Sequence, residues 1–293
     1  MVRRTAAAYG KGNVAIEDDT SELLLGPDEL IEIIDAPSYQ PPVLPKIALE
    51  IYELSRSRNL DYRQVLRLLE RDPMVAARIL RTAQSSAYAT RVPVASLADA
   101  LSRLGVEALA RIVLEATTGM TLFRARGYEA AMDGIRRHST ATAYIARAVA
   151  HAVKQPTELA FLCGLLHDVG VVACLVVFAR PRRSGTVPAF ELVWPVVEPL
   201  HQAVSGRLGK LWNLPDDVRR VIGDHHVRVD ARQPDPIACA VFIADAIACE
   251  LGLGHDAAPE PATLDALRAA IGFPDAAFPE LMDYARQVVG QVT

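Results

Sequence analysis

No two cysteines in this 293-residue chain stand in a CxxC spacing, and there are four in all: Cys163, Cys174, Cys239 and Cys249. A zinc site built from thiolates is thereby excluded, and no disulfide framework is expected. All four lie in apolar helical stretches, where they read as small core hydrophobes of a protein in a reducing cytoplasm. Positive charge is also short. The net charge of −4 gives no general attraction to nucleic acid or anionic lipid. The N-terminus, MVRRTAAAYGKGNV, is charged but no apolar run follows it, so no signal peptide is expected. Strand-like alternation is missing throughout, which leaves an all-α chain. Between Asn13 and Pro45 there is no Lys or Arg, against eight acids (Glu17, Asp18, Asp19, Glu22, Asp28, Glu29, Glu32 and Asp35). That stretch reads as a solvated acidic face, with docking to a basic partner as the alternative.

What the chain does have is apolar sequence, 51% of it, enough to bury a large core. The most apolar stretch runs from Ala160 to Phe178, AFLCGLLHDVGVVACLVVF, broken only by His167 and Asp168. Nineteen residues could span a bilayer, with Arg180, Arg182 and Arg183 as a positive flank. An Asp near the centre of a spanning helix costs ~3 kcal/mol, however, so a buried core helix is the better reading.

The periodicity predicts helices throughout. Residues 1–25 read as a tail. Pro27 opens a short acidic amphipathic helix in PDELIEIID, and SYQPPVLP is an extended connector. Compact helices follow in PKIALEIYELSRS, in DYRQVLRLLERD behind an Asp cap, and in PMVAARILRTAQSS after Asp72-Pro73. The irregular SAYATRVPVAS leads to LADALSRL, a break at Gly105, and VEALARIVLEATTGMTLF. Further helices are expected at 128–153, 156–178, 198–212, 215–226, 235–251, 261–271 and 278–291, with ARPRRSGTVPAF as a loop. The expected division is a tail at 1–25, an N-terminal helical lobe at 26–126 and a second lobe at 127–293.

An isolated carboxylate in a dry interior needs a partner. Asp168 is one such group and Asp245, in IACAVFIADAIAC, is another. His138 begins HSTATAYIARAVA, where Ala141, Thr142, Ile145 and Val149 follow at helical spacing, so it sits on a buried face. His201 opens HQAVSGRLGKLW, and His225 and His226 are expected to end the helix DDVRRVIGDHH, where the helix terminus favours a cationic imidazole. Imidazoles and carboxylates without thiolate suit Zn, Mn or Fe, or Mg where water completes the shell. The plain alternative is a His–Asp hydrogen-bond network without metal.

The order His138, then His167-Asp168, then Asp245 resembles the H…HD…D signature of the HD phosphohydrolase superfamily. His201 and His225-His226 resemble its two-metal members, among them the HD-GYP cyclic-dinucleotide phosphodiesterases. VLPKIALEIYEL, LERDPMVAARILRTAQSSAY, VASLADALSRLGVEALARIVL and FLCGLLHDVGVV, taken together, resemble the HDOD domain, the HD-related output domain of bacterial signalling proteins. The resemblance runs over roughly residues 40 to 250. It implies a two-lobed helical fold with an HD-like C-terminal lobe, and an output or scaffold role in signal transduction. It also implies one or two divalent ions at His138, His167, Asp168, His201, His225, His226 and Asp245.

Three departures from the active HD-GYP pattern weigh against catalysis. The Lys expected three residues after Asp168 is Val171, the Glu expected four before His138 is Gly134, and VRVDARQPDP stands where the GYP stretch would be. Metal binding with little turnover is therefore expected, and no catalytic residue is assigned. The alternative is a metal-dependent phosphohydrolase acting on a nucleotide or cyclic dinucleotide. With no receiver or diguanylate cyclase domain in the sequence, input is expected from a separate protein or ligand. The expected partners are signalling proteins, with room for a phosphate-like ligand and for self-association as an oligomer. Membrane is not expected. Nor is nucleic acid, since Arg67, Arg71, Arg78 and Arg81 make only a modest basic face, with eight basic and five acidic residues from Asp61 to Arg111.

Overall fold

The computed structural model describes residues 24–44, 46–57, 61–85, 94, 96–180, 186–227, 234–254 and 259–292. Most of the expected tail, part of SAYATRVPVAS, the middle of ARPRRSGTVPAF and most of VRVDARQPDP lie outside the described residues. Among the described residues there is no strand, and the architecture is all-α.

Local chemistry sets the helix starts. Helix α1 (Pro27–Asp35) opens on proline, with the Glu29 carboxylate accepting from the Gly26 N–H. After α2 (Lys46–Ser55), the Asp61 side chain caps α3 (Tyr62–Glu70) by accepting from the Arg63 N–H. Asp72 does the same for α4 (Pro73–Ala83) through the Val75 N–H. A reciprocal Ser96–Asp99 capping box starts α5 (Leu97–Thr121), and Gly105 breaks that helix with φ 74° and ψ 162°, a conformation open to glycine. Helices α2 to α5 pack on one another, α5 also meets α7, and α1 leaves this group to pack against α8.

The second group is α6 (Glu129–Ala152), α7 (Thr157–Leu166), α8 (Val169–Phe178), α9 (Phe190–Val197), α10 (His201–Leu211), α11 (Asp216–Gly223), α12 (Pro236–Glu250), α13 (Pro261–Ala270) and α14 (Phe278–Val292). Helix α9 falls in a stretch where no helix was expected, with Pro195 inside it. Asp235 caps α12, accepting from the Ile237 and Ala238 N–H groups, with Pro236 at the first position. At the centre α6 crosses α7 and α12. A Cβ on Gly164 would meet the Ala143 backbone at 2.8 Å, so glycine lets α6 and α7 touch backbone to backbone.

The apolar stretch expected as one helix over 156–178 is two, α7 and α8, with a turn at His167 and Asp168. The turn frees backbone groups, and one hydroxyl satisfies two of them. Ser205 Oγ donates to the His167 carbonyl at 2.7 Å and accepts from the Gly170 N–H at 2.9 Å. Thr157–Phe178 is long and apolar enough to cross a membrane by length and composition, but 89% of its most apolar window is buried inside the protein. Here it forms the centre of the core.

Candidate metal centre

Seven side chains converge where α6, α7, α8, α10, α12 and the residues after α11 meet: His138, His167, Asp168, His201, His225, His226 and Asp245. His225 and His226 do not end a helix as expected; α11 stops at Gly223 and both follow it. His138, His167, His201, His225 and Asp245 are buried, while the Asp168 side chain stays 18% exposed and that of His226 33%. The cluster therefore reaches solvent past Asp168 and His226.

The backbone fixes the imidazole tautomers. His167 Nδ1 lies 2.8 Å from the Gly164 carbonyl, and His225 Nδ1 lies 3.0 Å from that of Ile222. His201 Nδ1 bonds the Glu198 carbonyl, and His138 Nδ1 lies 2.6 Å from that of Leu253. A carbonyl can only accept, so Nδ1 carries the proton in all four rings and a neutral ring turns its Nε2 lone pair inward. Those Nε2 atoms meet in pairs, His138 with His167 at 3.2 Å and His201 with His225 at 3.2 Å. Two lone pairs at that distance repel unless a cation lies between them, either a proton or a metal ion.

Asp168 links the pairs. Its Oδ2 lies 3.3 Å from His167 Nε2 and 3.6 Å from His138 Nε2, and its Oδ1 lies 3.6 Å from His225 Nε2 and 3.7 Å from His201 Nε2. Asp245 adds Oδ1 at 3.1 Å from His138 Nε2 and Oδ2 at 3.9 Å from His226 Nε2. Three groups of donor atoms converge closely enough to hold a metal ion: His138, His167 and Asp168; His138, Asp245 and Cys249; and His201, His225 and His226. The donor set fits, because four of the five rings are oriented by a carbonyl behind them, as in metal-ligating histidines generally.

The charges are uneven. Burial alone would lower the His138 imidazole, yet the bonded Asp245 carboxylate overrides it and pushes the ring up to about 9. His167 is also raised, Asp168 outweighing burial. Burial lowers His225, and it takes His226 down to about 4 with His225 and His201 adding to the effect. The cationic imidazoles expected at the end of α11 are thus neutral. Burial opposes ionisation of Asp168, but His167 and the other rings hold it well below the carboxylate range. His138 holds Asp245 down to about 2 against the same penalty.

Sequence reasoning missed the carbonyls behind the rings, which carry no side-chain signature. It also missed Ser205, whose position four residues after His201 puts it on the same helix face, a signal open to reading. Cys249 was expected as core filling. Cys163, Cys174 and Cys239 are buried, but Cys249 is half-buried and its Sγ lies 3.5 Å from Asp245 Oδ1. Val171 is buried in the core, and among the described residues no Lys or Arg pairs with Asp168 or Asp245.

Known proteins resemble this chain on two levels. A protein of Treponema pallidum (strain Nichols) named only as uncharacterized is 22% identical over 223 residues, which are 73% of this chain and 42% of that protein. The chain therefore spans less than half the length of this curated relative. An HDOD domain protein of unknown function from Geobacter sulfurreducens shares the fold with a TM-score of 0.67 at 23% identity, over 87% of this chain and 94% of that one. A Shewanella amazonensis SB2B protein, provisionally named a metal-dependent phosphohydrolase, aligns with a TM-score of 0.68 at 17% identity over 91% and 97%. A Marinobacter aquaeolei VT8 protein, provisionally named a signal transduction protein, gives 0.62 at 20% identity over 90% and 62%. The profile of the HDOD domain matches residues 42–228, and the chain belongs to the HDOD family.

Proposed function

We propose that this chain is a signal-transduction output or scaffold module whose second lobe is braced by one or two divalent ions, with little hydrolytic turnover. The facing Nε2 pairs, each 3.2 Å apart behind carbonyl-fixed tautomers, carry this reading. His138, His167, Asp168 Oδ2 and Asp245 would hold one ion, and His201, His225, His226 and Asp168 Oδ1 a second. When bound, such ions supply Lewis acidity and lower the pKa of a bound water. The chain's own residues orient the donors, bridge the two sets through Asp168, and surround them with apolar core. A phosphoryl transition state also wants a positioned cation, and the buried Val171 offers none. The Marinobacter protein's name, signal transduction protein, supports partners among signalling proteins.

The second reading, a metal-dependent phosphohydrolase, is favoured by one observation. Asp168 keeps 18% side-chain exposure while presenting one oxygen to each histidine pair, as a bridging carboxylate in a two-ion hydrolase does. Metal analysis of protein purified without chelators, followed by assay of nucleotides and cyclic dinucleotides with Mn or Fe, separates the two. Bound metal with negligible turnover is expected. Phosphodiesterase activity abolished by Asp168→Ala would make the protein an enzyme, and a metal-free protein that takes up none would remove the centre.

A further inference from the structure

Away from the histidines, a groove of about 850 Å³ runs between α1 with its following turn and the outer faces of α10 and α11. That size suits a small-molecule site. Arg207 and Lys210, one helical turn apart on α10, line it together with Arg219 and Arg220 of α11. Four cations thus share a concave surface with two carboxylates, Asp35 and Asp216. The groove has a backbone floor, because α10 and α11 cross at Gly206 and Gly223, where a Cβ on either would lie 3.3 Å from the other's Cα.

The pairing of these charges is unequal. Arg219 holds Asp216 one turn earlier on its own helix, and Arg220 holds Asp235. Lys210 is exposed and has no ion-pair partner among the described residues. Arg207 Nε donates to Asp35 Oδ1 at 2.8 Å. Asp35 is the last residue of α1, where the helix dipole opposes a carboxylate, and no basic residue stands in that last turn to offset it. The Asp35 side chain is also 51% exposed, so this pair is weak and exchangeable. An incoming phosphate would give Arg207 a better partner, since guanidinium matches phosphate in a two-point geometry.

We infer that this groove binds a small molecule carrying two or more phosphates, held by Arg207, Lys210, Arg219 and Arg220, with Asp35 occupying Arg207 until the ligand displaces it. Nucleotides and inorganic polyphosphates share this chemistry, and the test distinguishes them.

The experiment is calorimetric titration of the full chain, stripped of metal by chelator and at low salt, with ADP and separately with tripolyphosphate. Binding of at least one probe is expected with metal absent, which separates this groove from the histidine centre. Stronger binding of ADP would point to a nucleoside, and equal binding to the phosphate chain alone. Lys210→Glu and Arg219→Glu should each weaken binding about tenfold or more, and Asp35→Asn should strengthen it several-fold. Arg286→Glu, which changes net charge equally on the distant α14, should leave it unchanged. Failure of both probes to bind, equal weakening by Arg286→Glu, or binding that survives Lys210→Glu and Arg219→Glu would overturn the inference. Binding that appears only when metal is restored would assign the phosphate to the histidine centre and overturn the groove, leaving the functional proposal standing.

Discussion

A Cβ on Gly170 would overlap the backbone carbonyl of His201. Helix α8, entered just after Asp168, and α10, which starts at His201, are thus in backbone contact beside the histidine cluster. Gly170→Ala must push these helices apart, and with them Asp168 and His201. The expected cost is about 3 kcal/mol or more in urea unfolding, with loss of any metal-dependent stabilisation. Gly290→Ala on α14, where a Cβ meets nothing within 4 Å, is the control and should be neutral or slightly stabilising. Equal behaviour of the two variants would refute this account of the contact.

Ser205 gives a separable test of the same junction. Its hydroxyl is buried and bridges the His167 carbonyl to the Gly170 N–H. Ser205→Ala leaves two buried backbone groups short of a partner at the turn holding Asp168, for an expected loss of about 1–3 kcal/mol. Stability unchanged within about 0.5 kcal/mol would show that the turn holds without the bridge.

The fold was legible largely because helix signals are local. Pro27, Asp61, Asp72 and Asp235 mark helix starts by their own chemistry, and Gly105 marks the break in α5. The turn at His167 and Asp168 was not legible, because residues 159–178 are otherwise apolar or glycine on both sides of it. It exists through a hydroxyl 35 residues further along, at Ser205, that bonds Gly170. Residue types pointed to the candidate donors His138, His167, Asp168 and Asp245. The tautomers of His138, His167, His201 and His225 were hidden, since these depend on where the carbonyls of Leu253, Gly164, Glu198 and Ile222 fall. The charge of His225 and His226 was misread because both lie past the end of α11 against other imidazoles, His225 buried and His226 half-buried.

Those charges give a pH prediction for the metal-stripped protein. His138, raised to about 9 by Asp245, stabilises the fold fully below an unfolded value near 6.5, and this contribution is lost as pH rises toward 9. His226, lowered to about 4, acts in the opposite sense. The unfolded chain takes up its proton first, so stability falls as pH drops from 6.5 toward 4. Urea unfolding in chelator at pH 5, 7 and 9 should show a maximum near neutrality. His138→Asn should flatten the alkaline limb and His226→Asn the acid limb. If neither variant alters the profile, these rings are not the groups that set it.

Arg111 and Glu158 tie α5 to α7 through a largely buried pair, with Nη1 to Oε1 at 2.6 Å and side-chain exposures of 11% and 13%. Arg147 stands 3.5 Å from the same carboxylate oxygen. Burial pushes the Glu158 carboxyl up while both guanidiniums pull against it, so removing one leaves the acid poorly compensated. Arg111→Ala should cost about 3 kcal/mol, and Arg111→Ala with Glu158→Gln appreciably less, because the second change removes the stranded charge. An additive double variant would show that the two side chains do not act as a pair.

The last prediction concerns the cation that the active pattern places three residues after the aspartate. Val171 fills that position here with 1% exposure, inside an α8 whose residues are nearly all buried. If the missing ammonium were all that separated this chain from a hydrolase, Val171→Lys would restore turnover. The packing argues otherwise. A lysine there must place its charge in apolar core or displace its neighbours, at a cost of several kcal/mol without a partner. Asp168 cannot serve as that partner without giving up its histidines, whose rings already surround both its oxygens. Val171→Lys should therefore lower the thermal midpoint by about five degrees or more, roughly the effect of losing 3 kcal/mol in a protein of this size. Phosphodiesterase activity with Mn or Fe should stay at background. A Val171→Lys protein as stable as the parent and newly able to cleave a cyclic dinucleotide would show that the centre lacks only this charge, and would favour the phosphohydrolase reading.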